Sequence, residues 1–115
     1  AYTNVEASEY NNEKAIAVNG YGTFNLAKIA KTENINLLHI SSDYVFDGLK
    51  KIPYLFKDKT NPINEYGKSK FLGEKLINNK IKTKYYNILE IFSEVYISKQ
   101  GLKMKRLIQL LILNR

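Results

Sequence analysis

The chain has 115 residues, of which 44% are apolar, 12% aromatic and 25% charged. That is the length of about one small domain and the composition of a soluble globular protein, not of a disordered or fibrous one. With no cysteine and one histidine, His39, disulfides, zinc fingers, Cys nucleophiles and a His-rich metal site are excluded. The net charge of +7 is unevenly spread, since three Lys face six acidic residues through Gly48 and fifteen basic residues face five acidic ones from Leu49 onward. A basic half invites a nucleic-acid reading. This one has only two Arg, Arg106 and Arg115, and no recognisable nucleic-acid module, so it reads as a solvated lysine-rich surface able to help hold an anionic phosphate. The longest apolar run, 107–113 with Gln109 inside it, falls far short of the roughly 18 residues of a membrane span. The first nine residues lack the basic start and apolar stretch of a signal peptide, and a cytoplasmic location is expected.

In chain order, residues 7–34 read as one long helix with Ser8 as its N-cap, and Ala15, Val18, Gly22, Leu26 and Ile29 or Ala30 return to one face. Small residues on that face predict close packing, with Gly22 and Thr23 lying against a sheet. Residues 35–42 are a short apolar run ending in Ser41 and Ser42, as a buried parallel strand does. Gly48, Pro53, Asp58, Asn61 and Pro62 mark an irregular loop, after which Asn61 or Asn64 caps a second helix over 63–79. Residues 84–91 read as another strand and 102–113 as a last helix, apolar nearly all round. The order is α/β and predicts a parallel sheet covered by helices.

Tyr66 and Lys70, four residues apart, share one face of that second helix. The spacing alone is weak, because nine Tyr and sixteen Lys in this length give about one such pair by chance, and Tyr10 with Lys14 makes a second. Context separates the two pairs. A buried strand ends at Ser41 and Ser42 shortly before Tyr66, and in open α/β sheets the reactive crevice lies beyond such strand ends. A hydroxyl, a phenol and an ammonium then converge. Taken singly, Tyr66 would be a half-buried packing residue, Ser42 a strand-end hydroxyl bonded to backbone, and Asp43-Tyr44 and Asp47-Gly48 turns. His39, inside an apolar strand, reads as a core residue without a catalytic role.

The run His39-Ile-Ser-Ser-Asp-Tyr-Val-Phe-Asp-Gly48, then Pro53-Tyr54, then Asn61-Pro-Ile-Asn-Glu-Tyr-Gly-Lys-Ser-Lys70-Phe-Leu-Gly-Glu74 resembles the dTDP-4-dehydrorhamnose reductase family of the extended short-chain dehydrogenase/reductase superfamily. Ala1-Tyr-Thr-Asn-Val-Glu6 and Ala17-Val-Asn-Gly-Tyr-Gly-Thr-Phe-Asn-Leu-Ala27 match at the expected places, so the resemblance covers about residues 1–79. It implies a partial Rossmann-like, doubly wound parallel sheet over 1–84, the middle part of a nucleotide-binding domain. It also implies reduction of dTDP-4-dehydro-6-deoxy-L-mannose (dTDP-4-dehydrorhamnose) to dTDP-L-rhamnose with NADPH (or NADH), and a full-length homodimer. Residue by residue, Tyr66, Lys70 and Ser42 would be catalytic, Ala1, Tyr2, Thr3, Tyr66 and Lys70 would contact the cofactor, and Ser42 and Asp43 the sugar nucleotide. The family more often has Thr where Ser42 stands, which keeps the hydroxyl.

The chemistry of ketone reduction agrees with these roles. Hydride delivery to carbon leaves an alkoxide that must be protonated. A phenol can supply that proton, a cation one helical turn away favours its ionised form, and a hydroxyl such as that of Ser42 can aim the substrate oxygen. Two departures stand against the family pattern. No G-x-x-G-x-x-G turn follows a strand to seat the pyrophosphate, and beyond about Lys84 the expected Ser-Trp strand end is missing. Residues 85–115 are therefore expected to be a degenerate or frame-shifted continuation, and the chain an internal fragment that is inactive alone. Two further readings share these motifs: a non-catalytic regulatory subunit resembling the β subunit of methionine adenosyltransferase, and a nucleotide-sugar epimerase or dehydratase. The Ser-Ser-Asp-Tyr-Val-Phe-Asp-Gly run favours the reductase.

Overall fold

Asn4 starts the first helix, α1 (Val5–Tyr10), in the computed structural model, which describes residues 1–55, 57–81, 85–86, 90–91, 97–98, 101–102 and 108–113. The Asn4 side-chain oxygen accepts the Ala7 amide at 2.8 Å, a cap of about 1 kcal/mol. Ser8, the expected cap, instead lies inside the helix, its hydroxyl donating to the Asn4 carbonyl at 2.7 Å.

The single helix expected over 7–34 is a succession of segments. After α1 come α2 (Asn12–Ala15), a π-helical stretch (Ile16–Gly22) and α3 (Thr23–Thr32). Asn11 interrupts them with φ −128° and ψ 50°. A π turn adds a residue to the ladder and rotates the succeeding turns by about 100°. The buried stripe therefore runs through Ala15, Asn19, Gly20, Thr23, Ala27 and Ala30, while Val18, Leu26 and Ile29 face outward. The predicted face is corrected at Val18 and Leu26, and of the two alternatives for its last position it is Ala30 that is buried. α3 ends in a Schellman arrangement: Asn34 takes φ 57°, its amide bonds the Lys31 carbonyl, and the Ile35 amide reaches the Ala30 carbonyl at 2.7 Å.

β1 (Leu37–Ile40) comes next, then a 3-10 turn (Asp43–Val45) and α4 (Glu65–Ile81). Of the two predicted caps it is Asn64 that serves, accepting the Gly67 amide at 2.7 Å. α4 lies on the small-residue stripe of the π stretch, not against a sheet there. A Cβ on Gly73 would come within 2.6 Å of the Asn19 carbonyl oxygen, so glycine is what permits the approach. Ala27 and Ile77 form the buried core of this contact, with Phe24 and Leu37 packed against them.

The remaining described elements are β2 (Tyr85–Tyr86), β3 (Glu90–Ile91), β4 (Ile97–Ser98), β5 (Gly101–Leu102) and β6 (Ile108–Leu113). β6 pairs antiparallel with β1, Leu37 opposite Leu113 and Ile40 opposite Leu110, and β2 and β3 also pair antiparallel with β6. Two expectations are corrected here. Among the described strands every pairing is antiparallel, where a parallel sheet was predicted, and the predicted last helix contains a six-residue strand. A continuous apolar run has no period to tell a buried strand from a buried helix, and the β-branched Ile108 and Ile112 fit the strand. The rest of the predicted strand, at 84 and 87–89, and of the predicted helix, at 103–107, lies outside the described residues. Among the described residues no helix is long and apolar enough to cross a membrane.

Candidate active site

The end of β1 and the first turns of α4 meet through contacts on both sides of Ser42. Before it, the Lys70 ammonium donates to the Ile40 carbonyl at 2.7 Å. After it, the Tyr66 ring stands edge-on to the Tyr44 ring, with centroids 5.5 Å apart and planes at 82°. Backbone contact tightens the same junction, since a Cβ on Gly67 would lie 2.1 Å from the Tyr44 carbonyl oxygen. Tyr66 and Lys70, one turn apart on one face of α4, thus flank the segment that carries Ser42.

Ser42 is buried and caps the 3-10 turn, its oxygen accepting the Tyr44 amide at 3.2 Å and its hydroxyl donating to Asp43 Oδ1 at 3.2 Å. Its local bonding is thus the strand-end pattern of a small hydroxyl, with Asp43 as the acceptor of its proton. Tyr66 is half-buried, and among the described residues no hydrogen bond engages its hydroxyl.

The first three residues join the site through Asn19. Its Oδ1 accepts the Tyr2 amide at 2.8 Å, and its Nδ2 donates to the Tyr2 carbonyl and to Ser69 Oγ, both at 2.9 Å. Ser69 in turn donates to the Tyr66 carbonyl at 2.7 Å. The main chain of Tyr2 is therefore already engaged, while Ala1 and Thr3 are exposed beside it. Of the rival pair, Tyr10 is 84% exposed and Lys14 lies over the Tyr2 ring at 5.5 Å, with the break at Asn11 between them.

Lys70 and Glu74 are both buried. Burial pulls the Lys70 ammonium below its ordinary value, partly offset by the negative charge of Glu74. Burial likewise pushes the Glu74 carboxyl up, against the opposing effects of the Ser41 hydroxyl, which donates to it, and of Lys70. His39 is buried with Nε2 unpartnered and is pulled down to about 4, by desolvation first and by Lys70 second. It is neutral near pH 7, in keeping with a core residue.

Asn19, Ser41 and Glu74 were not singled out by the motif. Glu74 was findable, being one further turn along the face that carries Tyr66 and Lys70. Asn19 was not, because its inward direction depends on the π turn.

These residues fit the nicotinamide-ribose end of a dinucleotide. An ammonium carries three donors, and Lys70 uses one of them on Ile40, which leaves others for ribose hydroxyls. The phenol of Tyr66 is partly open beside it.

The model of the RmlD substrate binding domain family matches residues 1–112. A dTDP-4-dehydrorhamnose reductase of Sinorhizobium fredii is 46% identical over 74 residues, covering 64% of this chain and 25% of that protein. One of Mycolicibacterium smegmatis is 44% identical over 78 residues, covering 67% and 24%. A dTDP-4-keto-6-deoxy-D-glucose reductase of Streptomyces niveus is 40% identical over 77 residues, covering 67% and 27%. The chain spans about a quarter of the length of these relatives. No solved structure matches it.

Proposed function

The chain belongs to the RmlD substrate binding domain family, and we propose that it carries the reacting groups of an NADPH-dependent, cytoplasmic reductase that converts dTDP-4-dehydro-6-deoxy-L-mannose to dTDP-L-rhamnose. The observation that carries this reading is the flanking of Ser42 by Lys70 at Ile40 and by Tyr66 at Tyr44. The relatives' names, reductases of dTDP-linked 4-keto sugars, supply the substrate class.

When bound, NADPH supplies the hydride. Tyr66 gives its phenolic proton to the oxygen of the former ketone as that oxygen gains charge. Lys70 would hold the ribose hydroxyls with donors not used on Ile40 and, as a cation, stabilises the phenolate that remains. Ser42 turns its hydroxyl from Asp43 to the substrate oxygen and aims it at Tyr66. The Asn19 bridge fixes Tyr2 against Ser69 on α4, and the first residues would contact the cofactor from there.

A complete reductase in which residues 1–79 replace the matching stretch of the Sinorhizobium fredii relative tests this. NADPH oxidation that depends on dTDP-4-dehydro-6-deoxy-L-mannose is the expected result. A folded chimera that leaves the cofactor unoxidised with that sugar contradicts the reading.

A further inference from the structure

Beneath Lys70 lies a polar cluster that the reductase reading does not use. His39 and Ser41 are alternate residues of one strand end, and with Lys70 and Glu74 all four are at most 9% exposed. Two of the contacts pair successive residues of the strand with successive turns of the helix. Lys70 donates to the carbonyl of residue 40, and the hydroxyl of residue 41 donates to Glu74 Oε1.

We propose that Glu74 is a positioning residue: with Lys70 it forms a two-rung clasp on Ile40 and Ser41 that sets the Ser42 hydroxyl against the face of α4 bearing Tyr66. One rung would fix a distance and leave the strand end free to pivot. Two rungs, one helical turn apart on α4 and one residue apart on the strand, fix direction as well. Ser42 is the next residue, and a misplacement of about 1 Å can cost as much as 10²-fold in rate.

The chemistry of the cluster supports a role in geometry over one in stability. A buried carboxylate is costly unless paired and hydrogen-bonded, and an apolar side chain of similar size often stabilises as well or better. Glu74 has one hydroxyl partner and a cation one turn away, a poor arrangement for stability alone. The groups that bear on it are Ser41 on the strand and Lys70 on its own helix, and Lys70 also bears on His39 on the strand side. The Asn19 carbonyl of the π stretch and Thr23 of α3 lie against neighbouring Gly73.

The kinetic consequence rests on the reductase reading, whereas the clasp does not, so the test has two arms. In the 115-residue chain, carbon NMR tracks the titration of the Lys70 side chain and the Glu74 carboxyl. Glu74→Gln should lower the Lys70 midpoint by roughly half a pH unit or more, Ser41→Ala should raise that of Glu74, and Ser41→Thr should restore it. A Lys70 midpoint unmoved by Glu74→Gln, or ordinary values for both groups in the parent, overturns the clasp. In the chimeric reductase, Glu74→Ala should lower kcat about 10-fold with the cofactor KM changed less than about 2-fold. Glu74→Gln, which still accepts the Ser41 hydroxyl, should recover most of kcat. Equal kcat losses in the two variants, or a loss confined to KM, overturns the positioning role. Coupled titration of Lys70 and Glu74 in the 115-residue chain, together with a folded chimera without any turnover, supports the clasp and contradicts the reductase reading.

Discussion

The side chain of Asn19 reaches Ser69 across fifty positions of sequence, its amide donating to the Ser69 hydroxyl at 2.9 Å. Because Asn19 also holds both main-chain groups of Tyr2, one buried side chain ties the start of the chain to the helix turn between Tyr66 and Lys70. Asn19→Ala strips partners from the Tyr2 amide, the Tyr2 carbonyl and Ser69 together. A loss of about 2 to 4 kcal/mol is expected, read as a lower urea midpoint.

Gly67 brings α4 close against the 3-10 turn after β1, and its missing Cβ would meet backbone, the Tyr44 carbonyl oxygen, at 2.1 Å. Gly67→Ala should therefore cost more than about 2 kcal/mol and move the Tyr66 ring off Tyr44. Gly48, with φ +74° and open space around it, gives the comparison. Gly48→Ala should cost about 1 kcal/mol from backbone strain alone. Equal urea midpoints for the two variants would contradict the close approach.

His39 titrates at about 4 in the folded chain against 6.5 when unfolded. A depressed folded value means that its contribution to stability is full above pH 6.5 and is lost as pH falls from 6.5 toward 4. The loss amounts to about 3 kcal/mol. Glu74 runs the other way, since its raised folded value favours the fold at low pH and costs stability as pH rises above 4.5. That slope is common to the parent and to His39→Leu, so the difference between their pH–stability curves isolates His39. The parent should lose stability relative to His39→Leu across that window, and parallel curves would contradict the assignment. At pH 7 the substitution should cost little, because it also removes the unpartnered Nε2.

How far the structure was legible depended on whether a signal was local. The strand end at Ser41 and Ser42, the loop after it, and α4 with its Asn64 cap arise from apolar runs, turn residues and capping, all of which act within a few residues. The buried face of the first helical region was misread because the π turn at Ile16–Gly22 breaks the 3.6-residue period on which the reading depends. The strand Ile108–Leu113 was misread as a helix because an unbroken apolar run carries no period at all. At the site, Tyr66 and Lys70 were legible from spacing and context together. Asn19 and Ser41 act through partners 50 and 33 positions away, and no local pattern announces such contacts.

The central claim is that Tyr66 protonates the reduced sugar oxygen beside Ser42 and Lys70. Steady-state NADPH oxidation with dTDP-4-dehydro-6-deoxy-L-mannose, in the chimeric reductase carrying Tyr66→Phe, tests it most directly. The account predicts a fall in kcat of roughly 10²-fold or more with an unchanged melting curve, and no change for Tyr10→Phe at the exposed rival pair. A Tyr66→Phe turnover within a factor of about two of the parent would contradict it.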